Sequence, residues 1–400
     1  MPTFPRLSKT SDSIDAVQPF RYLVETEIVF AHGCFEQVGD QVRRFGTRPL
    51  IVAGVNSARA AGTLDFLLAQ LPGSVVFEGV DENPDTAVCE AGAAACREAG
   101  CDCVLAIGGG SPIDAGKAIA GLAVNEGPCG SFFGADTFPN GALPLIAVPT
   151  TAGTGSEVTP YSVLVDSQQK TKRTISGRAL FPRVALLDPA LTMTMPRHVT
   201  IATGLDALSQ AMEGIVSKKS TPIGDALALD AIRRIKEFLP RAVHCGETDI
   251  EARAQMLYAS TLAGCVIAQS GTTLVHGMGY HYTLECGVLH GLANGLLLAP
   301  LFRHNAQCEP KRVERICAAL GHPPDSARDL PARAAAAVRE VFSAIDVSHA
   351  AKDHGVTASQ LEGFAARVAG DPYRYRNQIG EITEKRILEF YRQSFEGIPA

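Results

Sequence analysis

Residues 103–120 read CVLAIGGGSPIDAGKAIA. Five apolar or small residues run into Gly108-Gly109-Gly110, and a helical pattern follows. Ser111 is suited to the N-cap and Pro112 to the first helical position. The reading is a buried strand, a glycine turn and a helix. Three glycines let the backbone approach a ligand closely. The helix N-terminus presents free N–H groups and the positive end of its dipole. A pyrophosphate is the natural guest, and a tight strand-to-helix turn without a ligand is the alternative. The pattern is neither GxGxxG nor a Walker loop, because no GK[ST] follows.

Working outward, the same alternation recurs. Strands are expected over 21–31, 49–54, 74–80, 103–109 and 143–150, with helices over 34–45, up to about residue 70, 85–99 and 112–122. Strand–helix alternation at this pace predicts a parallel, doubly wound sheet, which binds ligands beyond the carboxyl ends of its strands. After Val184-Ala185-Leu186-Leu187-Asp188-Pro189 the texture changes. From His198 onward only 3.6-residue periodicity appears, over 200–216, 222–240, 249–269, 272–285, 288–303, 327–345 and 383–395. A boundary near residues 188–197 divides an α/β half from a helical half, with a cleft expected between them.

The 400 residues carry 42 acidic and 36 basic side chains, a net charge of −6. That balance lacks the basic footprint of nucleic-acid binding. No apolar run reaches the roughly 18 residues of a membrane span. The first 20 residues lack the apolar centre of a signal peptide. A soluble, cytoplasmic protein is expected. The 11 cysteines are odd in number and lack paired CxxC elements, which favours reduced thiols over a disulfide framework or a metal or redox centre.

Two further stretches bear chemistry. PTTAGTGSEVTPYSVLVD (149–166) places threonines and glycines at a strand's carboxyl end; it reads as a ligand loop or as a plain polar loop. In the helical half, Asp206 and Gln210 of TGLDALSQAMEG share a helix face, as do His276 and Tyr280 of VHGMGY, and His290 follows in LHGLANG. One carboxylate and two imidazoles make a sensible first shell for a divalent transition metal. Structural histidines are the alternative.

Taken together, these stretches resemble the iron-containing (group III) alcohol dehydrogenase family, over about residues 20–395. The resemblance implies a Rossmann-like NAD(P)-binding α/β domain over 1–190 and an all-α metal- and substrate-binding domain over 191–400. Gly108, Gly109, Gly110, Ser111 and Asp114 would hold the pyrophosphate and its surroundings. Thr150, Thr151 and Thr154 would line the nicotinamide-ribose side, and Lys172 would reach the cofactor. The metal positions fall on Asp206, Gln210, His276 and His290. Two of these stretches depart from the pattern: Gln210 and Tyr280 stand where the family usually has histidines. Three ligands suffice in related branches such as glycerol dehydrogenase.

The implied reaction is hydride transfer between NAD or NADP and a small alcohol or aldehyde. It would be assisted by a divalent metal, Fe²⁺ foremost with Zn²⁺ among the substitutes, in a homodimer or higher homo-oligomer. Asp206, His276 and Tyr280 would form the catalytic group, with Tyr280 or a water passing the alcohol's proton. At the end of the second strand Gly54 replaces the family's frequent aspartate, and Asn56, Ser57 and Arg59 stand nearby, so NADP(H) is expected to be tolerated. A dehydroquinate-synthase-type lyase and a cofactor-binding protein with a degraded metal site are the alternatives.

Overall fold

The apolar runs of the first half do pair as parallel strands. The computed structural model describes residues 19–54, 62–166, 171–325 and 329–398. Its strands are β1 (Glu27–Phe30), β2 (Pro49–Gly54), β3 (Val75–Val80), β4 (Cys103–Gly108), β5 (Gly134–Ala135), β6 (Leu145–Pro149), β7 (Tyr161–Asp166), β8 (Thr171–Ser176) and β9 (Val184–Leu187). Among the described residues the main sheet has the order β1-β9-β6-β4-β2-β3, all parallel. The interior strands β2 and β4 are buried on both faces, as a covered parallel sheet requires. Leu50, Val52, Val104 and Ala106 pack on one side, and Ile51, Ala53, Leu105 and Ile107 on the other.

Helices α1 (Val38–Arg43), α2 (Thr63–Gln70), α3 (Thr86–Glu98) and α4 (Gly110–Leu122) cover these faces. The strand expected over 21–31 is confined to Glu27–Phe30. Upstream the chain leaves the sheet: Tyr22 Oη donates to the Cys265 carbonyl at 3.0 Å and Leu23 N to Gln269 Oε1 at 3.1 Å. Helix α4 begins earlier than expected. Gly109 is its N-cap and Gly110 its first residue, so Ser111 lies inside the first turn rather than capping it. Strands β7 and β8 pair antiparallel, with β5 beside β8; the sequence reading saw no second sheet there.

The second half is helical among the described residues. It comprises α5 (Arg197–Val216), α6 (Pro222–Cys245), α7 (Ile250–Ser270), α8 (Leu274–Cys286), α9 (His290–Cys308), α10 (Pro310–Ala319), α11 (Leu330–Ala344), α12 (Leu361–Ala369) and α13 (Glu384–Glu396). Of these, α10 and α12 were missed. Helix α5 is buried almost all round and packs against α6, α7 and α9. The halves meet where the loop after β6 touches α7. Gly155 has φ +61°, and a Cβ there would lie 2.4 Å from Gly264 Cα. Backbone meets backbone at that point.

Candidate active site

The carboxyl ends of β2, β4 and β6 open into one cleft, of about 1280 Å³, that continues to α5, α8 and α9. Strands β2 and β4 are neighbours from which the chain runs in opposite directions across the sheet, the switch point where such sheets bind ligands. Gly54, Gly109, Gly110 and Ser111 line it. Across from the α4 N-terminus stand Thr151 and Thr154; a Cβ on Gly110 would lie 2.7 Å from Thr154 Cγ2. Only glycine leaves the first N–H groups of α4 open there. Gly108 and Thr150 do not line the cleft. Instead Thr150 N donates to the Gly108 carbonyl at 2.8 Å, tying β4 to β6 beneath it.

Asp114 faces the cleft, but its carboxylate is engaged. It accepts from Ser156 Oγ at 2.5 Å and Val163 N at 3.0 Å. Buried Lys117 lies 3.7 Å away and donates to Ser156 Oγ, Thr159 Oγ1 and the Tyr161 carbonyl. Burial raises Asp114 and lowers Lys117 to about 8. This polar knot fixes the loop after β6 and the β7–β8 pair onto α4. Strand β8 in turn carries Lys172 into the cleft. Asn56, Ser57 and Arg59 lie outside the described residues.

At the other end, Asp206, Gln210 and Glu213 project from one face of buried α5, spaced by four and three residues. Asp206, His276 and His290 bring one ligand atom each within 4.8 Å of one another. His276 Nε2 lies 3.4 Å from Asp206 Oδ1, and His290 Nε2 4.0 Å. The glycine after His290 makes this approach sterically feasible, since a Cβ on Gly291 would lie 1.8 Å from the Ala202 carbonyl oxygen of α5. Gln210 Nε2 donates to Asp206 Oδ2 at 3.0 Å, while its Oε1 is buried without a partner. A carboxylate, two imidazoles and an unsatisfied amide oxygen fit a divalent transition metal.

The three groups sit in different electrostatic settings. Burial opposes ionisation of Asp206, but the His276 hydrogen bond, both imidazoles and Asn294 Nδ2 (2.9 Å) outweigh it and hold the carboxyl below its usual range. Burial, then the Lys172 charge, pushes His290 down to about 3, so it is the neutral imidazole that a metal needs. For His276, burial is outweighed by Glu213 and Asp206, and the imidazole is raised to about 10. Glu213 Oε1 sits 2.5 Å from His276 Nδ1 and fixes the ring. Such a carboxylate–histidine pair orients a metal ligand.

Tyr280 stacks on His290 with ring centroids 5.4 Å apart and planes at 9°. Burial pushes its phenol up to about 12, so it keeps its proton at neutral pH. The sequence reading missed Glu213, Asn294 and Arg374. Glu213 was quoted within TGLDALSQAMEG, and its seven-residue spacing from Asp206 is the signal that finds it. His281 stacks on Phe364. All 11 cysteines are free.

A sheet that presents a glycine-bounded helix N-terminus, opening on a carboxylate–imidazole cluster, has the donors for a dinucleotide at one end and a divalent metal at the other. Residues 25–189 match the family described as iron-containing alcohol dehydrogenase. Residues 200–395 match its C-terminal region. The 1,3-propanediol dehydrogenase of Citrobacter freundii is 34% identical over 384 residues, 94% of this chain and 99% of its own. The NAD-dependent methanol dehydrogenase of Bacillus methanolicus is 33% identical over 305 residues, 75% of this chain and 80% of its own. A solved 1,3-propanediol oxidoreductase structure aligns with TM-score 0.88 and 32% identity, covering 94% of this chain and all of that one. The chain belongs to the iron-containing alcohol dehydrogenase family, and it is an oxidoreductase acting on alcohols. Neither the lyase nor the degraded-site alternative is supported.

Proposed function

We propose that this protein interconverts an alcohol and its aldehyde with NAD(H), at a metal held by Asp206, His276 and His290, with the Gln210 amide oxygen as a fourth donor. The observation that carries this reading is the clustering of those three ligand atoms in the cleft that also receives the N-terminus of α4. A divalent cation there, Fe²⁺ foremost and Zn²⁺ a substitute, supplies Lewis acidity toward the substrate oxygen. The nicotinamide supplies the hydride chemistry.

The chain's own groups do the rest. Gly109, Gly110 and Ser111 offer N–H groups to the pyrophosphate, Thr151 and Thr154 line the ribose side, and Lys172 reaches the cofactor. Asp114 acts through Ser156 and Val163 to position that wall. Glu213 holds His276 so that Nε2 faces Asp206. Tyr280 Oη holds a proton at the substrate end and is a donor, not a base. Residues 1–190 then serve the cofactor and 191–400 the metal and substrate.

NADP(H) is tolerated rather than preferred. Gly54 brings no repelling carboxylate, yet Asp81 and Glu82, just past β3, line the same cleft. A larger kcat/KM with NAD and measurable turnover with NADP are expected; equal values, or no NADP turnover, would refute this. Two features bear on assembly and location. Edge strand β1 exposes Ile28 and Phe30, which supports pairing in a homodimer or larger homo-oligomer, and 11 free thiols suit the cytoplasm. Absorbance at 340 nm with a panel of alcohols and aldehydes tests the main reading. Turnover should vanish on chelation and return with added metal. His276→Ala should abolish metal binding while far-UV circular dichroism stays native. Full turnover by metal-free enzyme would sink the Lewis-acid role.

A further inference from the structure

Beyond Tyr280 the cleft becomes cationic. Lys172 Nζ lies 5.2 Å from the Tyr280 ring centroid and the Arg374 guanidinium carbon 5.3 Å. His290 stacks on the same ring, so a proposed metal ligand and two cations share one aromatic ring. Exposed Arg376 adds a third charge to the same wall. Arg374 is held in place: Nε donates to Asp371 at 2.9 Å, and Nη2 to Thr171 Oγ1 at 2.5 Å and the Lys172 carbonyl at 3.5 Å. Its Nη1 makes no hydrogen bond among the described residues.

Lys172 Nζ likewise has no hydrogen-bond or ion-pair partner among the described residues, and burial lowers it to about 8. The acidic groups that act on it are Asp206, Asp114 and Glu82. Asp206 already accepts from Gln210 and Asn294 and faces both imidazoles; Asp114 is bound by Ser156 and Val163. Asp371 answers Arg374 at Nε, whereas Lys172 Nζ and Arg374 Nη1 have no such partner among the described residues, so closing a neutral alkyl chain over them would strip their water and return no hydrogen bond, which is costly. A carboxylate would supply charge-assisted hydrogen bonds, and the planar guanidinium suits it.

We propose that Arg374, with Lys172 beside it, forms an anion subsite, and that the substrate is a short-chain aldehyde, or the matching alcohol, bearing a carboxylate at its far end. The inference rests on the alcohol dehydrogenase reading of the same site and names its substrate class. Arg374 is the discriminating residue, because Lys172 also serves the cofactor.

The test compares succinic semialdehyde with butanal, each followed by NADH oxidation in metal-loaded enzyme. Wild type should favour the carboxylated aldehyde in kcat/KM. Arg374→Gln should lower that selectivity ratio about 10- to 100-fold, the worth of a hydrogen bond to a charged group, chiefly through KM. Arg374→Lys should recover part of it. A merely structural role for Arg374 would depress both aldehydes alike and leave the ratio unmoved. Calorimetric titration of the NAD⁺-bound protein with succinate reads the subsite without turnover: wild type should bind and Arg374→Gln should not. A ratio favouring butanal, a ratio unchanged in Arg374→Gln, or equal succinate binding by both would overturn the subsite and leave the dehydrogenase reading standing. Absence of turnover with either aldehyde, alongside succinate binding lost in Arg374→Gln, would sustain the subsite and count against that reading.

Discussion

Gln210, four residues from Asp206 on α5, is the proposed fourth donor to the metal, at a position where the sequence resemblance implies histidine. Glutamine and neutral histidine carry the same charge, so the departure leaves electrostatics alone and changes donor hardness. An amide oxygen binds later first-row metals less well than an imidazole nitrogen. Gln210→His should therefore tighten Zn²⁺ or Fe²⁺ binding, measured by competition with a chromophoric chelator. Unchanged or weaker binding would place residue 210 outside the coordination sphere. Glu213→Gln removes the charge that fixes His276, and metal affinity should fall about 10- to 100-fold with native circular dichroism; an affinity within twofold of wild type would show that the pair does not orient the ligand. Asp206, His276 and His290, which do cluster, were legible because a carboxylate and two imidazoles at that spacing carry the resemblance on which the reading rests. Glu213 and Asn294 were not, because a side chain that acts through another leaves only a periodicity, and Arg374 comes from a segment distant in sequence.

At the scale of elements, the strands of the parallel sheet were legible because burial on both faces makes them continuous apolar runs. The start of α4 was misplaced because Ser and Pro propensities outweighed glycine in the reading, whereas the turn needs Gly110 to pass Thr154. The β7–β8 pair was overlooked because threonines and glycines upstream coloured the whole segment as loop. That pair hangs on Lys117, whose ammonium bonds three oxygens of the loop and β7 from within α4. Lys117→Met should cost about 3–5 kcal/mol, the usual result of breaking a buried ion pair, and should lower the urea midpoint. Adding Asp114→Leu should recover part of the loss, since the orphaned carboxylate is gone. A single variant as stable as wild type would mean that Asp114 is satisfied by Ser156 and Val163 alone.

On the scale of the whole molecule, the reading of an α/β half followed by a helical half was legible from the loss of period-two and β-branched texture after residue 188. The path of residues 21–23 was not, because its partners lie in α7, more than 240 residues away. The contact between Gly155 and Gly264 has a mechanical consequence. With no side chains between the two backbones, nothing there can change rotamer to absorb a displacement, so the junction behaves as a fulcrum. An opening of the cleft that keeps this contact would swing about it, and the cleft mouth would travel farther than the hinge itself. A methyl group at this point would act as a wedge whose small thickness is magnified at the reacting carbon. Gly264→Ala should thus lower kcat/KM by about 100-fold, the cost of misaligning reactants by an ångström, while cofactor binding to the α4 N-terminus, followed by NADH fluorescence, holds. A variant with wild-type kcat/KM would show that the halves slide at this junction instead of pivoting. The rate of the reaction is, on this view, set partly by two hydrogen atoms far from any substrate: those that Gly155 and Gly264 carry in place of side chains.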